Sequence, residues 1–285
     1  MHFIQPPNND RMANNKTKKL KVYMYTRGAG SGHLTRVNAV YKGFIRASID
    51  CDFYVSAYRS KYRSYLESGT ILCEKDEFPK GIDVFICDWL ADDFVFNLSR
   101  DLAKLWIGLR RLGKIKSTFP DYFHIVAMEP GVEGDVCIWP IVSTWEDELL
   151  TREELHQLLH VPIDKPVGLL CENGAYPKHL DKVFNEKLPG NLTVFRSSNS
   201  PFAEGRRDID YYPIARLFKA ADYLVIGGGY NSVHEALSYA NMEKTKINFV
   251  GGDDQKMRIK NMNKWERRRG SQAHVLAEHI VKLLS

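Results

Sequence analysis

The sequence is short of several things, and each shortage excludes a class. No apolar run approaches the roughly 18 residues that would span a bilayer, so a transmembrane helix is not expected. The first twenty residues contain Pro6-Pro7, Asn8-Asn9, Asn14-Asn15 and a lysine cluster but lack the apolar core of a signal peptide, and read as a mobile tail. Cysteine is scarce and odd in number: Cys51, Cys73, Cys87, Cys137 and Cys171 are scattered, mostly through apolar strand-like runs. Free thiols in a reducing cytoplasm are the expectation, and no Cys/His spacing suits a metal. No convincing Asp-x-Asp metal motif stands out, and Asp92-Asp93 and Asp253-Asp254 are adjacent pairs. No repeat of solenoid period is present.

What is present is a basic first half. Residues 1–120 carry a net charge of about +8, and the remainder about −3. A solvated surface explains this, as does an acidic partner such as nucleic acid or an anionic membrane. The 285 residues suffice for two small domains. The acidic stretch Glu146–Glu154 and the prolines Pro162 and Pro166 suggest a hinge at 146–165, between an α/β unit at 21–145 and another at 166–285.

The most informative stretch runs from Ala221 to Ala240. Tyr223–Ile226 reads as a buried parallel strand. Gly227, Gly228 and Gly229 then allow a sharp turn and close approach of a ligand to the backbone. Asn231 and Ser232 are good helix caps, so a helix is expected to start there with free amides that favour an anion. Glu235 completes Ser-x-x-Glu, which is a capping box; alternatively its carboxylate accepts the hydroxyls of a ribose. A second strand, Ile247–Val250, leads into Gly251-Gly252 and then Asp254-Gln255, with Asn261 beyond.

This order of strand, glycine turn, Glu-bearing helix, strand and Asp-Gln resembles the donor half of GT-B glycosyltransferases, in particular the group of the bacterial N-acetylglucosaminyltransferase that makes lipid II. The resemblance implies two Rossmann-like domains with parallel sheets facing across a cleft. It assigns Glu235 to the ribose, and Asp254 and Gln255 to the donor sugar. Gly228, Gly229, Tyr230, Asn231 and Ser232 would lie along the diphosphate, and the segment around Asp210 and Tyr212 would grip the base. Asn173-Gly174, following the strand 166–171, would approach the donor phosphate, and Arg196 at another strand end would neutralise it.

Near the N-terminus, the strand Lys21–Tyr25 leads into Gly28, Gly30 and Gly32 and a helix to about Ala47. The spacing is not Gly-x-Gly-x-x-Gly, and no acid ends the next strand, which argues against a dinucleotide site. The pattern Gly-x-Gly-His-x-x-Arg, ending in His33 and Arg36, resembles the N-terminal loop of the same group, so Gly30 and Gly32 are expected at the cleft. A helix-start histidine is kept neutral by the dipole, so His33 is a candidate base; it could equally cap, pack or bind phosphate. The strand Ile82–Cys87 delivers Asp88 to the same crevice, either to orient His33 or to cap a helix. A helix at 61–67 and a strand at 209–212 are also expected. Arg110 and Arg111 open a basic loop with aromatic neighbours, which with Arg36 could hold an acidic acceptor or be merely solvated.

The expected function is therefore transfer of a sugar, with UDP-hexose the donor, to a hydroxyl, a hydroxymethylated base in DNA being one acceptor. A lipid-linked or small-molecule acceptor, an epimerase of the same fold, and a binding module are the alternatives. No cofactor or metal is expected to be required, and a cytoplasmic monomer is expected.

Overall fold

The structure is a computed structural model that describes residues 19–26, 31–56, 63–73, 78–88, 95, 97–113, 119–171, 192–197, 207–209, 211–248, 252–268 and 270–285. The expectations for the tail, Gly30, Asn173, Gly174, Asp210 and the side chain of Arg196 lie outside the described residues.

Two parallel sheets organise the chain. The first contains β1 (Leu20–Tyr25), β2 (Cys51–Ser56), β3 (Thr70–Leu72), β4 (Ile82–Cys87), β5 (Ala103–Arg110), β6 (Phe123–Ala127) and β7 (Val136–Cys137), in the order β3-β2-β1-β4-β5-β6-β7. The second contains β8 (Val167–Cys171), β9 (Thr193–Ser197), β10 (Arg207–Ile209), β11 (Tyr223–Gly227) and β12 (Thr245–Asn248), in the order β10-β9-β8-β11-β12. All ladders are parallel. The central strands are mostly apolar because layers cover both faces; β4 and β8 are buried at every position, Asp83 of β4 included. Strand order reverses between β1 and β4, and again between β8 and β11. In open α/β sheets such reversals leave a crevice at the carboxyl ends of the strands. Asp88 follows β4 and Gly228 follows β11, so each lies at such a point.

The described helices are α1 (Ser31–Arg46), α2 (Arg152–Leu159), α3 (Tyr230–Tyr239), α4 (Asp253–Asn261) and α5 (Ala273–Leu284). None is long and apolar enough to cross a membrane. Helix α5 does not stay with the second sheet, although it falls within 166–285. Ala273, Leu276, Ala277 and Ile280 join the core of the first lobe with Val37, Val40 and Phe44 of α1. The two helices approach so closely that a Cβ on Gly43 would sit 2.3 Å from the Ala273 carbonyl oxygen.

Three other boundaries differ from the sequence reading. Within 61–67 the described residues form only a single 3-10 turn, Arg63–Tyr65, which buries nothing of its own. Strand β10 ends at Ile209, and Tyr212 lies outside it, just before Pro213, whose missing N–H cannot continue a ladder. Helix α3 begins at Tyr230, because the extended Gly229 takes the cap position. Asn231 and Ser232 are therefore first-turn residues, and no capping box forms.

Candidate active site between the lobes

The first glycine turn and β4 bring together His33, Arg36 and Asp88. Asp88 is fully buried; its Oδ2 lies 2.8 Å from His33 Nδ1, and it accepts from Arg36 Nε at 2.5 Å and Nη2 at 3.0 Å. Burial alone would raise the Asp88 carboxyl, but Arg36 and then His33 outweigh it and hold it well below the usual range. An ionised Asp88 favours the tautomer in which His33 Nδ1 carries the proton and Nε2 carries the lone pair. Arg36 Nη2 lies 2.9 Å from the same Nδ1 and 3.0 Å from Asp88 Oδ2, and with the proton on Nδ1 it donates to the carboxylate. Burial, followed by the charge of Arg36, pushes His33 below its ordinary value of 6.5, so the imidazole is neutral at pH 7. The sequence placed Arg36 against an acceptor; its side chain is instead buried and committed to Asp88.

Across from it lies the start of α3. No side chain caps this helix, and its first amides have no partner within the helix. The Asn231 side chain donates from Nδ2 to the Gly32 carbonyl at 2.8 Å, while its buried Oδ1 has no partner among the described residues. Gln255 Oε1, on the first turn of α4, is likewise buried and without a partner among the described residues. A Cβ on Gly228 would come within 3.0 Å of Gln255 Cβ and 3.2 Å of this oxygen, so glycine there lets the turn sit against α4. Asp254 is partly exposed on the same turn and lies 3.5 Å from Arg258.

Glu235 is buried on the inner face of α3, with Ser143 Oγ at 3.4 Å. Burial pushes its carboxyl up to about 8, and the bonds from Ser143 offset only part of that rise. Tyr212 crosses to α1: its hydroxyl donates to Thr35 at 3.3 Å and accepts from Asn38 at 3.2 Å, and its ring stacks on Tyr65 at 4.7 Å. Tyr230 is a partial correction. Its ring is buried in the first lobe's core, and its hydroxyl accepts from Ile141 and donates to Met128, so only its backbone is available to a ligand.

A second charged network escaped the sequence reading. Glu129 follows β6 and is fully buried; it accepts from Arg258 of α4 at 2.5 and 3.1 Å, from His234 of α3 at 3.1 Å and from the Leu112 amide at 2.8 Å. Burial would raise its carboxyl, but the bonds from His234 and Arg258 hold it at about 2. Arg258 also donates to the Gly228 carbonyl at 2.8 Å. The strand-end rule that singles out Asp88 would have found Glu129.

Of the two loop arginines, Arg110 bonds to the Glu133 carbonyl and lies near the Phe119 ring. Arg111 is half-buried and has no hydrogen bond or ion pair among the described residues. Burial, and then the charge of Arg36, push it down to about 10. No group of three or more His, Cys, Asp or Glu among the described residues could hold a metal.

No protein-family model matches the sequence, and no curated protein sequence matches it. Solved structures do. MurG from Acinetobacter baumannii superposes with a TM-score of 0.53 at 10% identity, covering 92% of this chain and 99% of that one. The glycosyltransferase SnogD from Streptomyces nogalater does so with a TM-score of 0.52 at 9% identity, covering 94% and 100%. At these identities the likeness is one of fold.

Proposed function

The chain has the GT-B fold, and on that premise we propose that it transfers a sugar from a nucleoside-diphosphate sugar, with UDP-hexose the donor, to a hydroxyl group. One observation carries the reading. Around the uncapped start of α3, Asn231 Oδ1 and Gln255 Oε1 are buried without partners among the described residues, and Glu235, one turn along the helix from Asn231, has a weakly bonded carboxyl. Buried polar atoms are costly when unsatisfied, and a nucleotide sugar carries hydroxyl donors for such oxygens together with a diphosphate for the helix amides. Its diphosphate suits the helix amides, its ribose hydroxyls suit Glu235, and its sugar hydroxyls suit Asp254 and Gln255.

In the reaction, the acceptor oxygen forms a bond to the anomeric carbon as the bond from that carbon to the β-phosphate oxygen breaks. The leaving nucleoside diphosphate takes the electron pair. The hydroxyl proton passes to His33 Nε2, and Asp88 stabilises the resulting imidazolium through Nδ1–H. Helix dipoles and arginines neutralise the diphosphate without a metal, so chelation with EDTA should leave turnover unchanged.

For the acceptor, the excess of basic over acidic residues within 1–120 favours a polyanion, a hydroxymethylated base in DNA among them, which would have to be flipped out of the duplex. Acceptor binding should then weaken steeply with added salt. The test of the donor is a thermal-shift panel of nucleotide sugars, since a ligand of the folded state raises the melting temperature by mass action. No shift with any nucleotide sugar would overturn the reading. Conversion of donor in the absence of acceptor would point to epimerisation.

A further inference from the structure

Three arginines converge where the lobes meet, and among the described residues only two of them hold an ion pair, although Asp88 and Glu129 also act on the third, Arg111, from a distance. Arg36 belongs to Asp88 and Arg258 to Glu129. Arg111 stands at the carboxyl end of β5, between the strands that deliver those two carboxylates. The register fixes this place: Cys87 of β4 pairs with Gly108, and Arg110 pairs with Ala127 of β6. The loop it begins reaches the second lobe, since a Cβ on Gly113 would lie 3.3 Å from Asp254 Cβ. Arg258 connects the same region to the turn before α3 through the Gly228 carbonyl.

A half-buried guanidinium beside two other arginines, with no hydrogen bond or ion pair of its own among the described residues, is a costly arrangement in an unliganded protein. Its natural complement is a dianionic group presented at the lobe junction. We propose that Arg111, from the first lobe, binds the diphosphate of the donor and neutralises the charge that builds on the leaving β-phosphate as the bond to the sugar breaks. This rests on the nucleotide-sugar reading above and moves Arg111 from the acceptor, where the sequence put it, to the leaving group. The two lobes then share the diphosphate: α3 supplies amides and Arg111 a fork of charged donors suited to phosphate oxygens.

The test compares uridine, UDP and inorganic pyrophosphate by titration calorimetry on the full chain and on Arg111→Met and Arg111→Lys, with Arg110→Met as control. Arg111→Met should weaken UDP and pyrophosphate about tenfold or more and leave uridine unchanged. Arg111→Lys should recover part of the loss, and Arg110→Met should bind uridine, UDP and pyrophosphate as wild type does. Because the substitution removes a guanidinium that burial and Arg36 disfavour by more than Asp88 and Glu129 support it, the unliganded Arg111→Met protein should melt at the same temperature as wild type or higher. Equal losses for uridine and UDP, unchanged UDP affinity, or a fall in melting temperature would overturn the assignment while leaving the donor reading intact. Wild-type protein that binds none of the three ligands would remove both.

Discussion

Asn231 and Gly32 join the two glycine turns: the side-chain amide of the first residue donates to the carbonyl of the second at 2.8 Å. The start of α3 is thereby held against the start of α1, and the first-turn amides of α3 stand close to His33. The amide is half satisfied, because Oδ1 has no partner among the described residues. Asn231→Asp replaces the donor with a second acceptor facing the Gly32 carbonyl and sets a negative charge where a diphosphate is proposed to lie. Its UDP affinity should fall at least about tenfold, with a smaller loss for uridine, as read by calorimetry.

Glu235 makes stability fall with rising pH. Its folded value, about 8, is above its ordinary 4.5, so between those limits the folded state holds a proton that the unfolded state has lost. Stability from this group is complete below pH 4.5 and is lost progressively toward pH 8. At about 1.4 kcal/mol per unit the total is a few kcal/mol. Glu235→Gln should flatten the change in denaturation midpoint between pH 5 and 8. If ribose hydroxyls bind this carboxylate, UDP binding at pH 7 should release up to one proton, seen by repeating the calorimetry in buffers of different ionisation enthalpy.

Asp88→Asn keeps the shape and removes the charge. Turnover should fall by about 100-fold or more, because the amide can neither fix the His33 tautomer nor stabilise its imidazolium. The variant should also lose about 3–5 kcal/mol of stability, since Arg36 is left buried without a counterion. Asp88 itself is held low, so in the wild type its contribution is present above the ordinary 3.8 and is lost as pH falls below it. Urea denaturation at pH 7 and at pH 3 should therefore show the variant's deficit shrinking in acid.

Glu129 and Arg258 should be strongly coupled. Either Glu129→Gln or Arg258→Met leaves a buried charge unpaired and should cost about 3–5 kcal/mol, whereas the double variant should cost less than the sum. A double-mutant cycle by urea denaturation reads this directly, and additive costs would show that the pair does not act as a unit.

Much of this arrangement can be read from residue order. A run such as Ile82–Cys87 must be a covered strand, and the residue after it must face the crevice, which is enough to locate Asp88. Helix periodicity places Arg36 one turn from His33 but does not say that a carboxylate 52 positions away will claim it. Asn231 and Ser232 look like caps because their side chains cap so often, yet Gly229 adopts the extended conformation first and draws the helix start forward. Arg258 sits in a charged segment that reads as solvent-facing, and its burial is decided by Glu129 in another lobe. Likewise, the apolar face of α5 shows that the helix packs without naming what it packs on.

That helix fixes an order of events during synthesis. The first lobe's core includes Ala273, Leu276, Ala277 and Ile280, which are translated after the whole second sheet. Domains usually fold in the order in which they leave the ribosome. Here the lobe that begins first must wait with an open groove along α1 until the second has been made, and this interval is when a chaperone would find it.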